Sequence, residues 1–380
     1  MTSSATLSSS YPLARATFLA AAATAGAVVD TFEHPLVGPE GEALGIDVAE
    51  LGPADASTVV LIFSATHGVE GYCGSALQTH WLGHFADQRP HDVRVVNVHA
   101  LNPFGMAWVR RVNEDNVDLN RNFVDWSQPP PHNVDYDGIA ADVVPAEWTA
   151  EEQQRTLEAL LALVTEWGFP KVQAVVSGGQ YAHPKGVFYG GTGPVWSHRW
   201  LREWCAANLM AAQRVIIIDL HTGLGPWGHG ELITSSAPGD PPFDRAAALW
   251  PDAISMISGD SVSAVLVGDW LAIAAELAPM PRSHRSASST APWTVSRCCR
   301  RHRAWRRLRI SGSPGATSSP PPLSSMSTFV RCPVSPEMLR DSRRRTRRRL
   351  GGQRRGGACR RHRRQPRPAR VASPGRRSSR

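Results

Sequence analysis

The sequence predicts an α/β protein: a mixed, mainly parallel twisted sheet flanked by helices, followed by a C-terminal region expected to be disordered. Three observations predict it. Between residues 40 and 280, short apolar runs rich in β-branched residues alternate with helical stretches, the pattern of strands covered on both faces and joined by crossover helices. No apolar run approaches the roughly 18 residues of a membrane span. Composition then changes abruptly near Met280.

Taken in order, Arg15 precedes Phe18-Leu19-Ala20-Ala21-Ala22-Ala23, a short, Ala-dominated run that predicts a first helix rather than a secretory signal. Val59–Phe63 reads as a strand buried on both faces, Ala76–Phe85 as a helix and Val93–Val98 as a second strand. Ala150–Trp167 reads as a helix, with Leu157, Leu160, Leu161 and Val164 marking its packed face. Val172–Val176 and Val215–Ile218 supply two more strands, and the spacing of Trp196, Trp200 and Trp204 predicts a helix face packed in the core. In sheets of this kind, ligand-binding residues gather in loops at the carboxyl ends of strands.

The chain's net charge of +8 over 380 residues hides two unlike parts. Residues 281–380 hold 28 Arg, no Lys and two acids, Glu337 and Asp341, a local charge of +26. The preceding 280 residues keep 13 basic against 31 acidic side chains, or −18. The expected division is therefore 1–280 as the folded domain and 281–380 as a low-complexity tail. A nucleic-acid-binding arm normally mixes Lys with Arg and interleaves aromatics, so nucleic acid is not an expected partner, nor is a membrane. Arg, Pro, Ala, Gly and Ser without Lys is what GC-rich DNA yields when read out of frame. The six cysteines, Cys73, Cys205, Cys298, Cys299, Cys332 and Cys359, show neither paired metal-ligand spacing nor a disulfide framework, and predict a reducing cytoplasm.

Two of the strongest apolar runs end in a histidine loop. After Phe63 comes Ser64-Ala65-Thr66-His67-Gly68-Val69-Glu70-Gly71, and after Ile218 comes Asp219-Leu220-His221-Thr222-Gly223. His67 and Glu70 can aim an imidazole and a carboxylate at one cation, and His221 would complete three ligands, leaving a fourth position for water as in a catalytic zinc site. A His-x-x-Glu alone fits a surface loop equally well. Asp219 either orients a histidine ring or faces the other side of its strand. A third segment joins Asn102-Pro103-Phe104-Gly105 to the polar stretch Arg110 through Phe123, bringing three arginines into a region with few basic residues. Arginine suits a carboxylate or a developing oxyanion.

His67-x-x-Glu70, Asn102-Pro103-x-Gly105, Asp118-x-Asn120-Arg121-Asn122 and Asp219-Leu220-His221, in this order over residues 10–280, resemble the zinc carboxypeptidase superfamily. The likeness is to its bacterial carboxypeptidase-like branch, a domain of unknown function. The resemblance implies the metal at the strand ends, with His67, Glu70 and His221 as zinc ligands. It implies that Asn120 and Arg121 grip the substrate's terminal carboxylate. Arg110 or Arg111, with Arg111 preferred, is implied to polarise the scissile carbonyl. The implied substrate is a small peptide or acyl amino acid bearing a free carboxylate.

That superfamily also uses a glutamate, on a strand late in the fold, as the base acting on water. No acidic residue after His221 fills the position, and the composition breaks where that strand should begin. A shifted reading frame over Arg285–Val295 can encode Val-Glu-Tyr-Gly, a phrase suited to such a strand. Three functions therefore stand: a carboxypeptidase-type hydrolase, inactive if the base is lacking; an N-acyl amino acid deacylase of the aspartoacylase and succinylglutamate desuccinylase kind; and a non-catalytic zinc or ligand-binding protein. Tyr181 and Tyr189 are weaker candidates for substrate contact, and His80, His99, His183, His198 and His229 are expected to be structural or solvent-facing.

Overall fold

A computed structural model describes residues 7–223, 230–259, 261, 263–277 and the strand 290–296. Every described residue lies within one compact unit of the chain, Met1–Cys332.

Helix α1 (Tyr11–Thr24) forms where the Ala-rich run stands: Ser10 caps it and Tyr11, Ala14, Phe18 and Ala22 recur on one buried face. The strands are β1 (Val28–Val37), β2 (Ala43–Leu51), β3 (Thr58–Ser64), β4 (Val93–His99), β5 (Arg214–His221), β6 (Glu231–Thr234), β7 (Ala253–Ser255) and β8 (Thr290–Ser296). They form one sheet in the order β1-β2-β4-β3-β5-β8-β6-β7. β4, β3, β5 and β8 run parallel, β1, β2 and β4 pair antiparallel, and β6 lies antiparallel to β8 and parallel to β7. The architecture is the mixed, mostly parallel α/β sheet expected.

Alternation along β3 explains its unbroken apolar sequence. Val59, Leu61 and Phe63 join one core with Trp200, Leu201 and Trp204 of helix α7 (Trp196–Asn208). Val60 and Ile62 join the other with Phe18 and Ala22 of α1 and with Cys73, Leu77 and Trp81 of helix α2 (Gly71–His84). Successive side chains point to opposite faces, and both faces are covered.

The remaining helices are α3 (Pro103–Ala107), α4 (Val134–Val143), α5 (Ala150–Trp167), α6 (Phe169–Ser177), α8 (Pro241–Leu249) and α9 (Ala274–Leu277). Here the structure corrects the sequence in two places. Val172–Val176 is part of α6, not a strand: Gly168 at φ +80° and Pro170 start a helix, and Val172 and Val175, three apart, are its buried residues. Helix α5 forms over the expected residues, but its packed side is rotated. Leu157 and Leu161 are exposed, while Thr156 is buried and Leu163 and Trp167 pack against α4 and α6. Strand β8 is the described segment beyond Met280. The rest of the Arg-rich tail, the four cysteines within it and His229 lie outside the described residues. Among those described, no helix is long and apolar enough to cross a membrane.

Candidate metal centre and carboxylate-binding cavity

The two histidine loops meet at the carboxyl end of the sheet because β3 and β5 are hydrogen-bonded neighbours, Phe63 opposite Asp219 and Ser64 opposite Leu220. The exits of β3 and β4 interlock. Ala65 and Ala100 both take positive φ, +63° and +64°, and Leu101 and Asn102 donate backbone N–H groups to Ser64 and Ala65 carbonyls. Non-glycine residues held in that region are strained and cluster at functional sites.

The Asn102-Pro103-x-Gly105 motif proves architectural. Asn102 caps α3 by accepting from Gly105 N at 2.8 Å, Pro103 opens the helix, and Gly105 lies so close to Gly68 that a Cβ on the latter would fall 2.1 Å from the Gly105 carbonyl carbon. That approach lets Gly68 and Val69 donate to the carbonyls of Arg111 and Arg110, fixing the arginine segment against the His67 loop.

His67, Glu70 and His221 offer ligand atoms all within 4.8 Å of one another, although His221 lies 151 positions beyond Glu70. His67 Nδ1 is buried without a hydrogen-bond partner, and the donor set, two imidazoles and a carboxylate, is one that a divalent transition metal accepts. Glu70 Oε2 accepts from Thr222 N at 2.6 Å, which ties the two loops together. Asp219 faces the site: its Oδ2 lies 2.5 Å from His221 Nε2 and accepts from Trp270 Nε1 at 2.9 Å, while Thr66 donates to Oδ1 at 2.8 Å. Orientation of a ligand histidine by a carboxylate is a recurrent support of metal sites. Burial alone would lower the His221 pKa, but the Asp219 and Glu70 carboxylates outweigh it and raise it. For His67, burial and the adjacent Arg111 cation both push it down.

Arg111, not Arg110, lines the cavity. Its Nε donates to Asp118 Oδ2 at 2.9 Å, Nη1 to Glu70 Oε1 at 3.3 Å and Nη2 to His67 Nε2 at 2.8 Å. Arg110 reaches Asn116 Oδ1 instead, at 3.4 Å. Burial favours the neutral form of Asp118, yet Arg111 and its other cationic neighbours hold its pKa far below the usual carboxylate range.

The same Asp118 caps the 3-10 turn Leu119–Arg121 through Asn120 N, presenting Asn120 and Arg121 to the cavity. Arg121 is anchored on backbone carbonyls, Nη1 on Asn120 and Nε and Nη2 on Ser177. Asn120 Oδ1 is buried without a partner. Asn122 faces away and braces the loop after Gly190, donating to the Gly190 and Gly193 carbonyls.

The sequence did not single out every residue of the cavity, Phe188 and Asp269 among them. Phe188 lies between the arginines, its ring centroid 5.3 Å from the Arg111 and 5.1 Å from the Arg121 guanidinium carbon, within cation–π range. Asp269 and Thr222 also line the cavity, whose volume is about 210 Å³. Phe188 has no local motif, though it stands beside the Tyr189-Gly190-Gly191 loop. Neither Tyr181 nor Tyr189 reaches the cavity: Tyr181 donates to the Arg121 carbonyl at 2.6 Å, and Tyr189 is buried in the core.

Fold and cavity together define an α/β protein with a candidate His–Glu–His metal centre at the strand ends, flanked by paired arginines. The chain belongs to the family described as protein of unknown function (DUF2817), whose model matches residues 7–307. No curated protein matches it. Similar solved structures include carboxypeptidase A from Helicoverpa armigera, 14% identical with a TM-score of 0.41 over 78% of this chain and 66% of that one. Thrombin activatable fibrinolysis inhibitor is 11% identical, TM-score 0.44, over 76% and 65%. A succinylglutamate desuccinylase from Silicibacter sp. TM1040 is 13% identical, TM-score 0.35, over 71% and 59%. The chain thus spans less than two thirds of the length of each.

Proposed function

We propose that the protein is a zinc-dependent hydrolase of carboxypeptidase type, built to act on an amide next to a free carboxylate. The observation that carries this reading is the convergence of His67, Glu70 and His221 beside Arg111 and Arg121 in one cavity. The motif resemblance to the zinc carboxypeptidase superfamily supports it. His67, Glu70 and His221 hold the metal, which supplies Lewis acidity toward a carbonyl oxygen when bound. Arg111 stands beside that position and stabilises charge developing on the oxygen, its orientation kept by Asp118. Arg121 and Asn120 receive the carboxylate, Arg121 with a guanidinium already aligned by backbone carbonyls. A cavity of about 210 Å³ admits a single residue, which also suits the N-acyl amino acid deacylase alternative. Metal analysis, followed by turnover of a C-terminal peptide series against N-acyl amino acids, tests the reading and separates the two. Bound metal without hydrolysis of either series would overturn the enzyme assignment.

One observation favours a second reading, a non-catalytic zinc or ligand-binding protein. β8 lies parallel to β5 with Ser296 opposite His221, beside the metal-type ligands, and its sequence Thr-Ala-Pro-Trp-Thr-Val-Ser contains no acid to serve as base. On our reading the domain is 1–280 and the Arg-rich 281–380 is translated out of frame, so that the strand lost its glutamate. Resequencing the coding region tests this; a clean read in the present frame sinks it. A cytoplasmic location completes the proposal, supported by the buried Cys205 thiol and by cysteines without a disulfide-framework spacing.

A further inference from the structure

A buried indole reaches the metal-type ligands from outside the cavity. Trp270 is 0% exposed and shares a core with Val215 and Ile217, on the face to which Asp219 and His221 also alternate along β5. Its Nε1 donates to Asp219 Oδ2 at 2.9 Å, and its ring stands edge-on to Phe63 with centroids 4.8 Å apart. Phe63 and Asp219 are register partners across β3 and β5. One side chain therefore grips both strands where the two ligand loops leave the sheet.

The backbone that aims this indole is pinned on the arginine turn. Gly268 lies so close to Arg121 that a Cβ would meet the Arg121 carbonyl oxygen at 2.5 Å, and its own carbonyl accepts from Phe123 N at 3.1 Å. Asp269 then opens the turn Trp270–Ile273 by accepting from Leu271 N at 3.1 Å.

Asp219 is wholly buried and is held at both oxygens. Oδ2 lies 2.5 Å from His221 Nε2 as well as accepting from Trp270, and Oδ1 accepts from Thr66 at 2.8 Å. With Nε2 on Asp219, the His221 nitrogen turned to Glu70 is Nδ1, 3.5 Å from Oε2. The hydrogen bond made by one ring nitrogen sets which nitrogen a metal can use. Burial alone does not account for the Trp270 bond: Trp200, in the same core, has its Nε1 buried with no hydrogen-bond partner.

We propose that Trp270 and Thr66 are positioning residues for His221. By holding the Asp219 carboxylate from two sides they fix the imidazole with Nδ1 toward Glu70, and so set the affinity of the site for its metal. This rests on the reading that His67, Glu70 and His221 hold a divalent metal. Neither Trp270 nor Thr66 lines the cavity, and both act through Asp219.

The test reads metal affinity and ligand geometry without turnover. Full-length protein is titrated with zinc against a chromophoric chelator, and its cobalt(II) form is followed by visible absorption, which reports how the ligands surround the ion. Trp270→Phe keeps an aromatic ring against Phe63 and removes the donor; Thr66→Val removes the hydroxyl and keeps the shape. Loss of a group that orients a ligand costs about 10- to 100-fold in metal affinity, so loss of one donor to that group should cost about three- to tenfold, with displaced cobalt bands. Trp200→Phe makes the same truncation where the indole has no partner. It should lower the melting temperature, yet leave zinc affinity within about twofold and the cobalt bands in place. Either Trp270→Phe or Thr66→Val folding and binding zinc within that margin, with unmoved bands, overturns the proposal alone. So does Trp200→Phe weakening zinc as much as Trp270→Phe, which makes the effect one of core packing. If Trp270→Phe does not fold, Thr66→Val decides by itself. Wild-type protein that binds no zinc overturns the metal reading and the proposal with it.

Discussion

Arg111 and Asp118 form the hinge between the two halves of the site: Arg111 Nε donates to Asp118 Oδ2 at 2.9 Å, while Asp118 Oδ1 accepts from Asn120 N at 3.0 Å. One carboxylate thus sets both the cation beside the metal-type ligands and the turn that presents Asn120 and Arg121. Asp118→Asn keeps the shape and removes the charge. It should cost about 1.5–3 kcal/mol of stability, the range of a hydrogen bond to a charged group, read as a lower urea midpoint. Affinity for L-norleucine, an amino acid offering the free carboxylate that Arg121 is proposed to hold, should fall with it.

Metal binding should depend on all three ligands and on pH. His67→Ala, Glu70→Ala and His221→Ala should each abolish stoichiometric zinc in elemental analysis of dialysed protein. A histidine must be neutral to bind metal, and the neighbouring carboxylates raise the His221 pKa despite its burial. Lowering pH therefore strengthens the proton as competitor: zinc affinity should fall from about pH 8 to about pH 6, and binding in weak buffer should release protons.

A separate stability term comes from His99, buried with Nε2 at 2.9 Å from Ser75 Oγ. Burial pushes its pKa down to about 4 from an ordinary 6.5. Between those values the unfolded chain binds more protons than the folded one, so stability falls as pH drops through that window. His99→Gln should flatten that fall; an unchanged slope of unfolding free energy between those pH values would exclude it.

Phe188 holds φ at +52°, a strained setting for an aromatic residue, with both guanidinium groups against its ring. Phe188→Leu retains apolar bulk without the π face. Norleucine binding should weaken by about 0.5–2 kcal/mol, the range of a cation–π contact, with little change in zinc affinity.

Gly68→Ala would place a methyl 2.1 Å from Gly105, forcing apart the loops that join the Arg111 segment to His67. Overpacking of this kind costs about 1–3 kcal/mol, and here it should also lower zinc affinity. A thermal melt and a chelator competition measure the two effects.

Much of the frame was legible because periodicity reports burial. Val59–Phe63 and Val215–Ile218 are apolar at every position, and Val93–Val98 at all but Arg94 and Asn97, because a covered parallel sheet buries both faces, and the Trp196, Trp200 and Trp204 spacing matches α7. Val172–Val176 misled because a short β-branched run suits a nine-residue helix once Gly168 and Pro170 start it. The buried side of α5 depended on where α4 and α6 lie, which no local pattern encodes.

By itself the sequence determined the chemistry available: which ligand-type and cationic residues stand at strand ends, and that the Arg-rich end contributes almost no acid. Only the tertiary structure decided which of them meet. Pairing of β3 with β5 brings His221 to Glu70, the Gly68–Gly105 approach admits Arg111 rather than Arg110, and the Gly268 contact carries Asp269 to Arg121. Each meeting joins segments distant along the chain, and strand pairing and close packing of backbones, rather than spacing in sequence, set those distances.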